Sequence, residues 1–311
     1  MKKAFSVFLA CLMLFACTVP AFAASVYESD LIPTGSVRMT AHRGYSAIAP
    51  ENTLPAFRLA GEYGFWGAEC DTSPTADGVW VIMHDETVDR TTDGEGKVSD
   101  LTYAEICGLT IDSGSNIEAY PGTKVPTLTE YLDVCREYGM HPVIEIKPCA
   151  PVESMDALAG LLSAREEKKM FVIITFGREQ AARIKKLMPE TPVYLLIGGA
   201  PKEEYVDGIR FCLRNRLDGI DLAAVWEWDM VLRTRLAGLK TMVWTPDDVG
   251  TVEKYYRMGV RDFTTNALTP TEPEGDRTPQ ELFARRLRDF FYRFIAKLEA
   301  CFTGPTAGCC R

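Results

Sequence analysis

An α/β fold, built as a closed (β/α)8 (TIM) barrel, is predicted by three features of the 311-residue sequence. From residue 37 onward, eight short apolar segments alternate with longer amphipathic ones, which is the pattern of a parallel sheet whose strands are joined by helices. This number of strands suits a closed barrel of ordinary size, whereas an open, doubly wound sheet usually has fewer. No glycine-rich phosphate-binding turn follows the first segment, which also argues against the open sheet.

Each element can be placed in order along the chain. The strands are predicted at residues 38–42, 67–71, 142–146, 170–175, 192–197, 219–222, 240–244 and 261–265. The helices are predicted at residues 53–63, 127–138, 153–168, 178–187, 201–214, 226–237 and 248–258. After the second strand come an extra strand within residues 77–85 and a small insertion, about 86–125, rich in Gly, Asp and Thr. Because long irregular segments are uncommon in compact domains unless they serve a function, we expect this insertion to do so.

The two ends of the chain are expected to lie outside the catalytic barrel, which is predicted for residues 37–268. Two lysines precede a short apolar run and the sequence "PAFAAS", a pattern that predicts a signal peptide over residues 1–23 and therefore export. The sequence "LFAC", ending at Cys17, resembles a bacterial lipoprotein box, so a lipoprotein signal to residue 16 is an alternative. An uncleaved anchor is another. The exported protein is expected to be periplasmic, extracellular or lipid-anchored at the cell surface.

Residues 269–311 are predicted to form a linker and an amphipathic helix that packs on the barrel, with a basic membrane-surface helix as the alternative. Membrane contact is expected only through this helix or a lipid anchor. The formal net charge of −9 argues against nucleic-acid binding and leaves a small molecule as the expected partner. The 10 cysteines include no CxxC pair and no His–Cys cluster, so no zinc site is predicted. Neither the oligomeric state nor a disulfide pairing follows from the sequence.

Three carboxylates lie at the ends of predicted strands. Glu69 and Asp71 flank Cys70 at the end of the second strand, and Glu145 lies near the end of the third. Because side chains alternate along a strand, Glu69 and Asp71 point the same way, and they face the barrel mouth if Cys70 faces the helices. Three such groups in one mouth favour a hard divalent cation, Mg²⁺ or Ca²⁺. Ion pairing with nearby basic side chains is the alternative.

Basic and imidazole side chains lie at the same strand ends. Arg43 and Lys147 are suited to binding phosphate, because one offers a planar fork of donors and the other a point charge. His42 ends the first strand and His84 ends the extra strand, and imidazoles near neutral pH suit general acid–base catalysis. His141 precedes its strand, at the opposite end, and is expected to be structural. The set predicts a site for a phosphorylated, anionic substrate.

These residues fall within longer motifs that point to a known family. The motifs are "AHRG…PENTLPAF", "GAECDTSPTADGVWVIMHDETVDRTTDGEGKV", "VPTLTEYLDVCREYG" and "VIEIKP", with a weaker match in "VWTPDD". Together they resemble the glycerophosphodiester phosphodiesterase family, most strongly over about residues 39–148. The last predicted strand departs from the family pattern, because Asn266 stands where an aspartate is usual.

The resemblance implies a TIM barrel with a small insertion after the second strand, and a metal-dependent enzyme. Members hydrolyse glycerophosphodiesters, such as glycerophosphocholine or glycerophosphoethanolamine, to glycerol 3-phosphate and an alcohol. The implied residues are, for the divalent metal, Glu69, Asp71 and Glu145; for acid–base catalysis, His42 and His84; and for the substrate, Arg43, Lys147 and Trp244. Trp244 would line the pocket for the head-group or the glycerol, although filling the core at a strand end is an alternative role.

The expected mechanism uses the two histidines in turn. One deprotonates the glycerol 2-hydroxyl for in-line attack on phosphorus, the other protonates the departing alcohol, and water then opens the cyclic phosphate. The sequence does not assign the two roles to His42 and His84. Three alternatives stay open: a phospholipase D-type phosphodiesterase acting on sphingomyelin or lysolipids, a barrel glycosidase with two carboxylates, and a non-catalytic barrel binding protein.

Overall fold

The computed structural model describes residues 32, 36–199 and 201–270. The predicted signal peptide and the predicted C-terminal helix lie outside the described residues, as does most of the linker. Every cysteine in the described ranges is a free thiol. The helices in these ranges all fall short of the length and apolarity needed to span a bilayer.

Parallel strands close into a barrel, which confirms the predicted fold class. Within the described residues the strands are β1 (Arg38–Ala41), β2 (Gly67–Pro74), β3 (Trp80–Ile82), β4 (His141–Ile146), β5 (Val172–Thr175), β6 (Val193–Ile197), β7 (Gly219–Ala223), β8 (Lys240–Trp244) and β9 (Asp262–Thr265). Strand β1 pairs in parallel with both β2 and β9, which closes the sheet. Strand β3 is the exception, because it pairs antiparallel with β2 and is not a barrel strand.

Helices connect the barrel strands. Within the described residues they are α1 (Leu54–Glu62), α2 (Tyr103–Ile106), α3 (Leu128–Tyr138), α4 (Met155–Ser163), α5 (Arg178–Leu187), α6 (Lys202–Asn215), α7 (Trp228–Leu236) and α8 (Val249–Arg257). Local sequence sets their ends. Helix α3, for example, begins with a capping box between Thr127 and Glu130 and ends at Gly139, whose φ of 66° favours glycine.

Two predicted boundaries are wrong, each for a physical reason. Strand β2 continues past the predicted end at residue 71 to Pro74, because its last residues pair with β3. The helix predicted at 153–168 ends at Ser163, and a 3-10 helix, Glu166–Met170, follows it. The charged residues of the 3-10 helix continue the helix-like pattern of the sequence, although the α-helix has already ended.

Alternation along the strands separates two cores and fixes the direction of the acidic side chains. Cys70 packs in the core between strands and helices, together with Cys135 of α3. The barrel interior has its own apolar cluster, which includes Val143 of β4. Because Cys70 faces the helices, Glu69 and Asp71 on either side of it face the barrel interior, as the sequence predicted.

The insertion between β3 and α3 packs around a small core of its own. Its buried side chains include Val88, Val98, Ile106 and Ile111, and they join Val81 of β3. Isolated bridges, Thr87 with Lys97 and Thr92 with Ile111, tie the segment together. The insertion is therefore an ordered part of the fold beside the second barrel strand.

Candidate active site

Three carboxylates meet at the carboxyl end of the barrel strands, where TIM-barrel active sites lie. Glu69 and Asp71 of β2 adjoin Glu145 of β4, and the strand register sets Asp71 directly beside Glu145. One oxygen from each of the three lies within 4.8 Å of the others, and all three residues are buried. We call these residues the acid triad. The structure therefore brings together the three residues for which metal binding was predicted.

The electrostatics of the acid triad fit a divalent cation. Burial, reinforced by the charges of Asp71 and Glu145, raises the pKa of Glu69 well above its ordinary value. Burial and the charge of Asp71 raise the pKa of Glu145 to about 7. Oε1 of Glu69 is buried and accepts no hydrogen bond from the described residues. A set of oxygen donors with an unused acceptor matches the ligands that Mg²⁺ and Ca²⁺ take.

Asp71 differs from its two neighbours because donors surround it. Burial acts to raise its pKa, but the nearby charges of Lys147, His84 and Arg43 outweigh burial and lower it. Asn52 holds the carboxylate in place: its Nδ2 donates to Asp71 Oδ2 at 2.8 Å, and its Oδ1 accepts from the Asp71 backbone N–H at 3.3 Å. Asn52 has a φ of 57°, in the left-handed region that asparagine tolerates better than most residues.

The turn after β1 brings Arg43 to the acid triad. Arg43 and Gly44 both have positive φ, 56° and 75°, and a Cβ on Gly44 would lie 2.7 Å from the backbone of α1. The Arg43 backbone N–H donates to Glu69 Oε2 at 2.8 Å. Its guanidinium donates to Glu51 Oε1 at 3.0 Å and lies 3.4 Å from Asp71 Oδ2. Nε is buried and forms no hydrogen bond within the described residues. The bond to Glu51 uses one of the five N–H donors of the guanidinium, so donors on the two terminal nitrogens are left for an anionic ligand.

Lys147 stands on the other side of the acid triad. Its Nζ donates to Asp71 Oδ1 at 3.0 Å and to Glu145 Oε1 at 2.8 Å. Burial acts to lower the pKa of Lys147, but the two carboxylates outweigh burial and raise it to about 12. An ammonium has three N–H donors, so one remains for a ligand. The ion pairs that the sequence left open as an alternative are therefore present alongside the acid triad.

His42 lies directly after β1 with its ring between Glu69 and Asn266. Its Nδ1 is 2.7 Å from Asn266 Oδ1, and its Nε2 is 3.9 Å from Glu69 Oε2. Burial lowers the pKa of His42, with Arg43 acting in the same direction, while Asp71 and the hydrogen bond with Asn266 oppose the shift. The ring is thus held at the mouth with Nε2 turned toward the acid triad.

His84 lies just beyond β3, beside Asp71. The Met83 backbone N–H donates to the Asp71 carbonyl at 3.0 Å, which fixes the chain at this point. His84 Nδ1 is 2.6 Å from Asp85 Oδ1. Arg90 of the insertion donates from Nε to Asp85 Oδ2 at 2.6 Å and from Nη2 to Glu51 Oε1 at 2.7 Å. An ion-pair chain through Glu51 therefore connects the side chains around His84 with Arg43.

The remaining two predicted positions fall at opposite ends of the barrel. Trp244 ends β8 on the mouth side, where it contacts Phe176 edge-on with ring centroids 5.8 Å apart. Its indole Nε1 is buried and makes no hydrogen bond within the described residues. His141 begins β4 at the other end and stacks on Trp66 at 4.1 Å, as expected of a structural residue. His141 is separated from the acid triad because it lies at the start of β4, whereas Glu145 lies near the end of the same strand.

Several polar residues of the site did not stand out as functional in the sequence. They are Glu51, Asn52, Asp85, Arg90, Asp247 and Asn266. Glu51 and Asn52 lie in the quoted "PENT" turn, and Asp85 directly follows His84, so short motifs gave a signal for these three. The only sequence signal at Asn266 is its departure from the family pattern. Arg90 and Asp247 also lie in quoted motifs, but the motifs do not reveal their roles, because these depend on contacts with distant loops.

Comparison with known proteins agrees with this geometry. A family model described as "Glycerophosphoryl diester phosphodiesterase family" matches residues 42–269, most of the chain. The chain belongs to this family. A glycerophosphodiester phosphodiesterase of Caldanaerobacter subterraneus is 32% identical over 229 residues, which are 73% of this chain and 92% of that family member. The family assignment made from the motifs is therefore confirmed.

Other family members match over different spans. "Glycerophosphodiester phosphodiesterase 1" of Bos taurus is 43% identical over 129 residues, which are 41% of this chain and 39% of the bovine protein. The match thus spans about two fifths of the length of that mammalian relative. Among solved structures, a phosphodiesterase of Oleispira antarctica in complex with the product sn-glycerol-3-phosphate is 28% identical, with a TM-score of 0.67. The alignment covers 78% of this chain and 96% of that one.

Proposed function

We propose that the protein hydrolyses glycerophosphodiesters to glycerol 3-phosphate and an alcohol. The main observation in support is that the acid triad, Arg43, Lys147 and the two histidines meet at one barrel mouth. Family membership supports this proposal, as does the Oleispira antarctica relative, whose structure contains sn-glycerol-3-phosphate. The acidic, basic and imidazole groups together provide for binding an anion and for moving protons.

The acid triad would hold one divalent cation, Mg²⁺ or Ca²⁺. When bound, the cation would offset charge on the phosphate oxygens and favour the charge-rich transition state. Arg43 and Lys147 would bind the same phosphate from two sides, since each side chain has more N–H donors than its hydrogen bonds to the described residues use. Trp244 would line the outer part of the pocket, where its partly exposed ring offers apolar contact to the substrate.

The two histidines would carry the protons. As the glycerol 2-hydroxyl oxygen attacks phosphorus, one imidazole accepts its proton, and the other donates a proton to the oxygen of the departing alcohol. The products of this step are the alcohol and a cyclic glycerophosphate. Water then attacks phosphorus with the roles reversed: the imidazole that had donated its proton accepts one from water, and the imidazole that had accepted a proton donates it to the ring oxygen that leaves. Each histidine ends the cycle in its starting state.

The test is release of choline from glycerophosphocholine and of ethanolamine from glycerophosphoethanolamine, with and without a chelator. We expect turnover that the chelator abolishes and that added Mg²⁺ or Ca²⁺ restores. His42→Ala and His84→Ala should each lower kcat by roughly 10²–10⁴-fold. His141→Ala is the matched control and should leave kcat unchanged, because this residue lies at the opposite end of β4.

The alternative functions give different results in the same assay. A phospholipase D-type enzyme would prefer sphingomyelin or a lysolipid to the water-soluble diesters. A glycosidase would keep its activity in the presence of the chelator and would cleave glycosides only. A binding protein would bind glycerophosphodiesters without turnover. Normal turnover by His84→Ala would contradict the assigned roles while leaving the substrate class intact.

A further inference from the structure

We infer that Asn266, oriented by Asp247, is a positioning residue that fixes the ring tautomer of His42. This inference rests on the proposed function, in which His42 exchanges a proton with the substrate. The two residues follow β8 and β9, and β9 pairs with β1, the strand that His42 follows. Neither is part of the acid triad or of the phosphate-binding pair.

The orientation of the Asn266 side chain follows from Asp247. A carboxylate only accepts hydrogen bonds. Asp247 Oδ1 accepts from the Asn266 backbone N–H at 2.8 Å and from Thr265 Oγ1 at 2.9 Å. Its Oδ2 lies 2.7 Å from the Asn266 amide nitrogen. With the amide reversed, two acceptors would face each other at that distance, so the amide nitrogen must point to Asp247 and Oδ1 must point away.

That orientation determines which nitrogen of His42 carries the proton. Asn266 Oδ1 is an acceptor and lies 2.7 Å from His42 Nδ1, so Nδ1 must be the donor. In the neutral ring, Nε2 then has no hydrogen and presents its lone pair. This nitrogen faces the acid triad, 3.9 Å from Glu69 Oε2. His42 therefore exchanges protons with substrate through Nε2, whether it acts as the base or as the acid.

The arrangement has the logic of a serine-protease triad, where an outer acceptor keeps the imidazole in its productive tautomer and its loss lowers kcat strongly. Here the neutral amide of Asn266 contacts the imidazole ring, and the carboxylate of Asp247 contacts that amide instead of the ring. A neutral acceptor orients the ring without placing another charge beside the acid triad.

The first test reads the tautomer directly. The full chain, labelled with ¹⁵N-histidine and without added metal, is studied by NMR at about pH 8, where an ordinary imidazole is neutral. The chain has only three histidines, and His42→Ala assigns the signal. We expect a protonated Nδ1 and a bare Nε2 for His42. A proton on Nε2 in the wild-type chain would overturn the inference.

The second test separates positioning from folding. Asn266→Leu keeps the shape but removes the acceptor, and Asp247→Ala releases the amide without touching the ring. Both should give mixed tautomers and lower kcat by at least about tenfold, short of the loss in His42→Ala, with little change in KM. The exchange Asn266→Asp with Asp247→Asn keeps an acceptor at the ring and a donor behind it, and should restore the tautomer and most of the activity.

Asp248→Asn is the matched control, because Asp248 adjoins Asp247 but caps α8 through Thr251, a role that asparagine also fills. It should change neither tautomer nor kcat. Full activity of Asn266→Leu would overturn the inference. If the wild-type chain shows the expected tautomer but cleaves no glycerophosphodiester, the proposed function fails and the positioning stands. If it is active with the opposite tautomer, the positioning fails and the function stands.

Discussion

Replacing Asn52 by glycine should weaken metal binding without straining the backbone. Asn52 makes two hydrogen bonds to Asp71, at 2.8 and 3.3 Å, inside a buried site. Its φ of 57° is one that glycine adopts without steric strain, so Asn52→Gly removes the side chain without straining the folded backbone. Without these bonds the Asp71 carboxylate can rotate, and a proton competes better with the metal ion for its oxygens.

The expected loss follows from the number and kind of these bonds. A buried hydrogen bond to a charged group contributes about 1.5–3 kcal/mol. Removing an outer partner of a metal ligand typically lowers metal affinity by about 10–100-fold, which corresponds to about 1.4–2.7 kcal/mol. The two ranges agree, and we expect a fall in Mg²⁺ or Ca²⁺ affinity of that size, measured by titration calorimetry on the full chain.

Asn116→Gly is a matched control. Asn116 also has a positive φ, 50°, and donates a hydrogen bond at 2.8 Å, but to the Ile48 carbonyl and not to the acid triad. Both variants change asparagine to glycine in the same backbone conformation, so they share the conformational cost. A metal affinity of Asn52→Gly within about twofold of that of Asn116→Gly would refute the reasoning, because Asp71 would then not need its outer partner.

Three further predictions concern the pocket, the pH dependence and the fold. Trp244→Ala should raise KM by roughly tenfold with a smaller change in kcat, because the residue contacts the substrate but takes no part in the reaction. The KM of Trp244→Phe should lie between those of the wild type and Trp244→Ala, and an unchanged KM in both variants would mean that Trp244 only fills the core. Metal affinity should fall as the pH drops below about 7, by up to about tenfold per pH unit. Burial and the charge of Asp71 raise the pKa of Glu145 to about 7, and Glu145 must lose its proton before it can bind the metal. Calorimetry at two pH values checks this, and equal affinities would contradict it. Tyr131→Phe should lower the free energy of unfolding, measured in urea, by about 1–2 kcal/mol, because it removes the buried hydroxyl that donates to the Ala68 carbonyl at 2.7 Å. An unchanged urea midpoint of unfolding would show that this hydrogen bond contributes nothing to stability.

The barrel and the acid triad could be predicted from sequence because both depend on local patterns. Strand ends place Glu69, Asp71 and Glu145 at one edge of a parallel sheet, and alternation around Cys70 gives their direction. The family motifs add His42 and His84 to the same edge. Closure of the sheet then brings His42 and the acid triad into one mouth, and the antiparallel pairing of β3 with β2 brings His84 to the same place.

The outer partners could not be predicted, because loops bring them together. Asp247 and Asn266 are separated by helix α8 and strand β9, and their contact exists only when the barrel ends are correctly folded. Arg90 reaches Glu51 from the insertion, across a sequence separation of 39 residues. Neither contact has a fixed spacing or a hydrophobic period that could be read from the chain. The overlong helix at 153–168 shows the converse error, where a periodic pattern continues after the helix has ended.

The charges around the mouth support the proposal that one site binds both a cation and an anionic substrate. The ion-paired groups that line it are five carboxylates and three cations, namely Glu51, Glu69, Asp71, Asp85, Glu145, Arg43, Arg90 and Lys147. When all of these groups are ionised, the carboxylates outnumber the cations by two, and a bound divalent cation would offset that excess. A phosphodiester is itself an anion and would be repelled by the unbalanced site. The cation proposed to favour the transition state would therefore also help earlier, when the substrate approaches Arg43 and Lys147.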